Sequence, residues 1–231
     1  MPPTDCSVES AFEFHPIFTG SDPTAELGNW YASGDLNAKN MPGMGAYVVY
    51  ENFSGDVCGH TDGKHFEFGL NHDWGAVGGR WQALAGADAD ASQYEGLSFW
   101  ALSLYDRSIE LNLSDIHSAD PPVGADLSET CIPDTVPGST TKEPNPDFVD
   151  ANGVPRANSC GSLFSRRLIM SKSWTLYTIP FSEFIQVNRD PRFKPGGLET
   201  SAMRIFSFRI PKDTFVDVSF VNFAWYRKAT N

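Results

Sequence analysis

Residues 108–114 read SIELNLS, and this stretch decides the class of fold. Ile109, Leu111 and Leu113 are apolar, whereas Glu110 and Asn112 between them are polar. An alternation with a period of two residues sends apolar side chains to one face of a β-strand and polar side chains to the other. The stretch therefore predicts a strand in an antiparallel sheet that has one face in the core and one face toward water.

The same alternation occurs near the carboxyl end, in RIFSFRI (204–210), where Phe206 and Phe208 oppose Ser207 and Arg209. No segment keeps a helical period, and turn residues separate the apolar runs. The predicted strands cover residues 11–18, 45–50, 65–70, 96–104, 108–114, 165–170, 174–180, 203–210 and 215–226. Many short strands in this order predict an all-β protein, an antiparallel β-sandwich.

Residues 119–160 differ from the rest of the chain. Proline, glycine, serine, threonine and aspartate dominate there, and no period is visible. A linker between two domains would have this composition, but the strands after it need partners from the first half of the chain. We therefore predict a single β-sandwich domain over residues 1–231, with 119–160 as a long insertion loop.

The charge balance restricts the partners. The chain has 17 Lys and Arg against 29 Asp and Glu, a net charge of −12. An acidic surface repels phosphate backbones, so we expect no nucleic-acid partner. No apolar run approaches the ~20 residues of a membrane span, so we expect no span either. The acidic charge suits an extracellular protein or one that binds neutral ligands.

The cysteines are Cys6, Cys58, Cys131 and Cys160, and none forms a C-x-x-C pair. An even count in a loop-rich chain indicates two disulfides and export, although four buried thiols in a cytosolic protein are the alternative. Of the three pairings we favour Cys131–Cys160, because it would close the least structured segment; Cys6–Cys58 then follows by elimination. The first residues, MPPTDCSVES, hold no apolar signal core, so export implies a leader that was removed.

One segment combines a strand with a proline stop. In SKSWTLYTIPFSEF (171–184), Trp174 and Tyr177 belong to a predicted strand that ends at Pro180. Phe181 and Phe184 follow in a short aromatic turn.

Several segments in order resemble one family. They are WYASGD (30–35), WGAVGGRW (74–81), YEGLSFWALS (94–103), SIELNLSD (108–115), the stretch from 160 to 184, RIFSFRIP (204–211) and VDVSFVNFAWY (216–226). Together they resemble carbohydrate-binding modules of the family 11 type, which share the galactose-binding-like jelly roll with the complex I intermediate-associated protein domain. The resemblance implies a jelly roll that binds a polysaccharide, a β-glucan or similar, without cleaving it. In such a fold the strand with Trp174 and Tyr177 would close the sandwich, and Phe181 and Phe184 would pin a turn that crosses to the other sheet.

The resemblance also implies particular site residues. Tyr31 falls where family modules place a groove tyrosine, and the loop with Arg189, Asp190 and Arg192 falls where they place groove-lining residues. Many such modules hold a structural calcium ion through acidic residues of the first and last strands, which would be Glu13 and Asp217 here. No other cofactor is expected.

Further ligand-binding candidates come from the sequence pattern. Sugar rings need an aromatic surface and planar polar groups beside it. Trp74 lies next to a glycine-rich turn that favours exposure, whereas Trp100 and Trp225 lie inside apolar strands and are predicted core. The polar faces of the two alternating strands would supply the floor of a groove. These floor candidates are Glu110, Asn112, Asp115, Ser207 and Arg209; the alternative for each is an ordinary solvated sheet face.

The run from 56 to 73 gathers His60, Asp62, His65 and His72, the residues to suspect if the chain were an enzyme. Their spacing matches no catalytic or metal-binding motif, so a polar loop and strand edge is the favoured interpretation. The main hypothesis is a secreted, non-catalytic protein that binds polysaccharide on a concave sheet face. The alternative is an extracellular surface or assembly protein that uses the jelly roll for protein contacts.

Overall fold

The computed structural model describes residues 4–17, 30–34, 48–61, 63–68, 75–80, 88–116, 118, 145, 163–186, 197–212 and 214–230. Its regular structure is almost entirely β. The strands are β1 (Phe12–Pro16), β2 (Trp30–Gly34), β3 (Val48–Asn52), β4 (Gly63–Phe68), β5 (Gly75–Arg80), β6 (Gly96–Ser103), β7 (Ser108–Asp115), β8 (Phe164–Ile169), β9 (Thr175–Pro180), β10 (Ile185–Gln186), β11 (Met203–Ile210) and β12 (Val216–Lys228). Two 3-10 turns, Cys6–Ala11 and Phe181–Glu183, precede β1 and β10.

The strands form two antiparallel sheets of six. The first sheet has the order β3-β4-β12-β6-β9, with β1 also paired to β12, and the second has the order β10-β8-β7-β11-β5-β2. All nine predicted strands are present. The sequence missed β2, β5 and the short β10; β5 reads GAVGGR, whose glycines have low strand propensity, yet its pairing with β11 and β2 makes it a strand.

Stacked aromatic rings fill the space between the sheets. Phe208 of β11 stacks on Phe220 of β12, and Phe206 stacks on Phe223, each with ring centroids 4.3 Å apart. Phe99 of β6 lies against both pairs. All five rings are buried, and each contributes roughly 2–3 kcal/mol by leaving water. The apolar half of each alternating strand is therefore the core, as predicted.

The long strand β12 pairs with two different strands along one of its edges. Its first half pairs with β4 and its second half with β1, and the register shifts between Val221 and Ala224. Asn222 lies at this bulge with a φ of 52°, a left-handed conformation that asparagine tolerates better than most residues. Its side-chain Nδ2 is 3.1 Å from His60 Nε2, which fixes the bulge to the β3–β4 turn.

The chain crosses between the sheets where the sequence predicted. β9 is an edge strand of the first sheet and ends at Pro180, and the 3-10 turn Phe181–Glu183 leads into β10 at the edge of the second sheet. Phe184 is buried and Phe181 packs against the core. The Tyr177 hydroxyl donates to the Ile169 carbonyl at 2.9 Å and accepts from the Ser171 N–H at 3.0 Å. These residues shape the crossing and close the sandwich.

A disulfide joins Cys6 to Cys58, which confirms one predicted pairing. It ties the Cys6–Ala11 turn to the β3–β4 turn across a sequence separation of 52 residues. Closing a loop of that length removes unfolded-state freedom of about 4 kcal/mol. Cys131 and Cys160 lie outside the described residues, as does all of the 119–160 segment except Asn145. Within the described part of the chain, no helix has the length and apolar character needed to cross a membrane.

Candidate functional site

The polar face of the second sheet is built by strand register. Arg209 of β11 is opposite Glu110 of β7, which is opposite Arg167 of β8. Directly opposed residues share a face. These three residues therefore form a row across three neighbouring strands, on the side away from the phenylalanine core. We call this set the charged row.

The charged row is open to solvent. Arg209 and Arg167 are exposed and Glu110 is half-buried. Arg167 Nε donates to the Ser108 hydroxyl at 2.7 Å, which leaves its terminal amino groups available. Among the contacts within the described residues, none of the three charged groups forms an ion pair. The row thus presents two guanidinium forks and one carboxylate with unused hydrogen-bonding capacity.

The next row corrects a prediction. Ser207, Asn112 and Ser165 are opposed across β11, β7 and β8, on the same face as the charged row. Their shared face with Arg209 was predicted, but their exposures are only 9%, 4% and 8%. The Ser165 hydroxyl donates to Asn112 Oδ1. Asn112 and Ser207 are therefore buried polar residues, not the open groove floor that the sequence predicted.

Asp115 is also buried rather than exposed. It is 1% exposed, and its Oδ1 accepts from the Ser118 hydroxyl at 2.7 Å. Its Oδ2 accepts from the Glu199 backbone N–H at 2.9 Å. This carboxylate holds the end of β7 to the segment before β11. Its role in the described structure is to stabilise the fold, in contrast to the predicted ligand contact.

The side chains of five predicted site residues lie outside the described part of the structure. The backbone of Tyr31 lies in β2 opposite Gly78, and Gly78 is opposite Ser207, so the register puts Tyr31 in the same row as Asn112. Trp74, Arg189, Asp190 and Arg192 lie outside the described residues. Their assignment to the site stays a prediction.

The two carboxylates expected to share a calcium ion are far apart. Glu13 is opposite Arg227 and makes an ion pair with it at 2.6 Å. Asp217 lies ten residues earlier on β12, roughly 30 Å away at the strand rise per residue. Glu13 and Asp217 therefore cannot bind one calcium ion together. No group of three or more potential metal ligands occurs among the described residues.

The suspected histidines have structural partners. His65 Nδ1 is 3.0 Å from Glu51 Oε1, and its Nε2 is 3.0 Å from Asp217 Oδ1. Burial alone would lower the pKa of His65, but the hydrogen bonds and charges of Glu51 and Asp217 outweigh it and raise the pKa above its ordinary value. His60 lies against Glu9 and Asn222. Asp62 and His72 lie outside the described residues.

Sequence reasoning missed Arg167 as a site candidate. It is the third residue of the predicted strand SRRLIM, where two successive arginines must point to opposite faces. Arg166 makes an ion pair with Glu183 at 2.9 Å, whereas Arg167 joins the charged row. The two successive arginines indicated that one of them faces outward. Only the pairing of β8 with β7 shows which of the two shares a face with Glu110.

Comparison with known proteins gives a fold but no sequence relative. No protein-family model and no curated protein matches the chain. A family 11 carbohydrate-binding module of a cellulosomal cellulase of Clostridium thermocellum matches with a TM-score of 0.56 and 16% identity, over 95% of this chain and 96% of that one.

Two further solved structures match in the same way. A family 11 module from Clostridium thermocellum in complex with a β-1,3-1,4-mixed-linked tetrasaccharide has a TM-score of 0.54 and 15% identity, over 93% of this chain and 94% of that one. A family 30 module of another cellulosomal cellulase of that organism has a TM-score of 0.52 and 12% identity, over 94% and 98%. Identities this low establish the fold alone. The resemblance seen in the sequence is thus confirmed at the level of fold, an antiparallel β-sandwich of the jelly-roll class.

Proposed function

We propose that this chain is a secreted, non-catalytic protein that binds polysaccharide on the outer face of the second sheet. The observation that carries the proposal is the charged row, in which Arg209, Glu110 and Arg167 share one open face without pairing among themselves. A surface whose only purpose is solubility would gain from pairing opposite charges across strands. Two guanidinium groups and a carboxylate that form no ion pair with any described residue leave donors and acceptors for a ligand.

Sugar hydroxyls fit these groups. A guanidinium fork donates to two adjacent hydroxyls, and a carboxylate accepts from others, so the row offers both halves of the hydrogen bonding that a sugar ring requires. The Cα atoms of Arg209 and Arg167 lie about 10 Å apart, two inter-strand steps. Such a row suits an extended chain that runs across the strands better than a single small molecule.

The fold supports the class of ligand. Solved modules with this fold bind carbohydrate, and one was determined with a β-1,3-1,4-mixed-linked tetrasaccharide. A β-glucan is therefore the first ligand to test. The Cys6–Cys58 disulfide supports an oxidising, extracellular location.

Affinity electrophoresis on β-glucans, xylans and mannans tests the proposal, with the whole chain and two arginine variants. We expect retardation on at least one glycan, and Arg209→Ala should weaken binding by about 10- to 100-fold because one charge-assisted contact is lost. Arg227→Ala is the matched control, since Arg227 is an exposed arginine of the first sheet. No retardation on any glycan, or equal binding by Arg209→Ala, would overturn the proposed site.

A second candidate function, protein contacts, is favoured by two apolar residues. Ile169 is 76% exposed and Ile185 is 60% exposed, and both lie on the outer face at the β8–β10 edge of the second sheet. Such residues at an edge suit association with another protein surface. Sedimentation over a range of concentrations distinguishes the candidates: self-association that Ile169→Ser abolishes, without glycan binding, would favour this alternative.

A further inference from the structure

Two asparagines of the chain stand in the pattern N-x-S. They are Asn52 in Asn52-Phe53-Ser54 and Asn112 in Asn112-Leu113-Ser114. This pattern, with any residue except proline in the middle, is the acceptor for N-linked glycosylation. The pattern alone is common by chance, so the structural setting must decide whether either asparagine is used.

Asn52 has the setting of an acceptor. It is the last residue of β3, an edge strand of the first sheet, and both Asn52 and Ser54 are exposed. Its Oδ1 accepts from Lys64 Nζ. Its Nδ2, the atom that would carry a glycan, has no partner among the described residues. The attachment atom is therefore free while the rest of the amide is held in place.

The turn around Asn52 is anchored without using the acceptor groups. The Phe53 backbone N–H donates to the Gly63 carbonyl at 3.0 Å, and the Phe53 ring packs edge-on against Trp174 with centroids 5.2 Å apart. The middle residue of the pattern thus points inward while Asn52 and Ser54 remain at the surface. Attachment of a glycan to Asn52 would therefore break none of these contacts.

Asn112 provides an internal comparison. It is 4% exposed, its Oδ1 accepts from Ser165, and Ser114 is 3% exposed. Because both Asn112 and Ser114 are buried, a glycan on Asn112 Nδ2 could be accommodated only by opening the sheet face around it. The same pattern in one chain therefore occurs once in a compatible setting and once in an incompatible one.

The third requirement for N-glycosylation is that the protein passes through a secretory compartment. Cys58 lies four residues after Ser54 in the same turn, and it is joined to Cys6. Disulfides form and persist in the oxidising compartments through which secreted proteins pass, where N-glycosylation also takes place. The disulfide of this turn therefore favours such a compartment for the protein.

We propose that Asn52 is an N-glycosylation site. In the transfer, Asn52 Nδ2 forms a bond to the anomeric carbon of a lipid-pyrophosphate-linked oligosaccharide. The bond between that carbon and the pyrophosphate oxygen breaks, Nδ2 loses one proton, and the lipid pyrophosphate leaves. No oxidant or reductant takes part. The inference goes beyond glycan binding and shares with the proposed function only the secretory location.

The position of the glycan has two consequences. It would lie at the edge of the first sheet, whereas the charged row lies on the outer face of the second, so the glycan would not compete with a bound polysaccharide. It would also shield β3. An edge strand presents unpaired backbone groups to other chains, and a bulky hydrophilic group at its end hinders such pairing.

The test uses the protein as its own cells release it. Treatment with an amide-cleaving N-glycanase in water labelled with ¹⁸O converts each glycosylated asparagine to labelled aspartate, and peptide mapping then locates the label. We expect the label at residue 52 and not at residue 112. Unmodified Asn52 in released protein would overturn the inference and leave the proposed function standing. Protein that is never released would overturn both the inference and the secretory part of the proposed function.

Variants of the full chain in a eukaryotic secretory host give an independent check. Ser54→Ala removes the pattern and keeps Asn52, so it should abolish the mass shift caused by the glycanase. Ser54→Thr restores a valid pattern and should retain the shift. A shift that persists in Ser54→Ala would show that another residue carries the glycan and would overturn the assignment.

Discussion

The carboxylate of Glu9 accepts a hydrogen bond from the indole Nε1 of Trp100 at 2.6 Å, across 91 residues of sequence. Trp100 is 2% exposed and lies in a small apolar cluster with Val57 and Val221. Its N–H needs an acceptor because a buried donor without one is costly. Glu9 supplies that acceptor from the Cys6–Ala11 turn, and the same oxygen lies 3.0 Å from His60 Nε2. The Cys6–Ala11 turn therefore supplies the hydrogen-bond acceptor that the buried Trp100 of the first sheet requires.

Glu9→Ala should lower the free energy of unfolding by about 2 kcal/mol, because it leaves the Trp100 N–H without its acceptor. Glu13→Ala is the matched control: Glu13 makes an exposed ion pair with Arg227, and removing such a pair costs about 0.5 kcal/mol. Urea unfolding of both variants measures the difference. Equal destabilisation would contradict the structural role of Glu9.

Asn112→Ala should destabilise the protein, by about 1–2 kcal/mol, because the buried Ser165 hydroxyl loses its acceptor. Glu110→Ala, two residues earlier on the same face, should change the free energy of unfolding by about 0.5 kcal/mol or less. Thermal or urea unfolding separates the two. An Asn112→Ala variant as stable as the parent would contradict this structural role.

The arginine doublet of β8 allows a test with neighbouring residues. Arg167→Ala should weaken glycan binding about tenfold or more, because it removes one fork of the charged row. Arg166→Ala should leave binding unchanged, since Arg166 points the other way and pairs with Glu183. Isothermal titration with the glycan selected by electrophoresis measures both. Loss of binding in both variants, or in Arg166→Ala alone, would place the ligand elsewhere.

His65 should make stability depend on pH in a defined direction. Its pKa in the folded protein is raised above 6.5, so the folded state binds its proton more tightly than the unfolded state does. Its stabilising contribution is therefore complete below pH 6.5 and is lost as the pH rises through the folded pKa. The difference in melting temperature between the parent and His65→Gln should shrink from pH 5.5 to pH 8. A difference that grows over this range would contradict the assignment.

The period of two residues in SIELNLS was enough to predict which residues of β7 enter the core, because alternation is a property of the strand itself. It could not predict that Asn112 and Ser207 are buried while Arg209 is exposed, since that depends on what lies over the face. It also could not predict β5, whose glycines carry no strand signal and whose pairing comes from β11 and β2. The order of the sequence motifs was enough to predict the fold. The charged row could be identified only from the register between neighbouring strands.

Strand β12 has a consequence for how the protein is made. It lies between β4 and β6 and also pairs with β1, and all three of these strands come earlier in the chain. During synthesis the edges of β1, β4 and β6 that pair with β12 stay unpaired until residues 216–228 have been made, although β3 and β9 already pair with the other edges of β4 and β6. Contacts between distant parts of a chain also form slowly. A ribosome-bound chain halted before residue 216 would therefore be a substrate for chaperones, and completion of the first sheet would be a late event in folding.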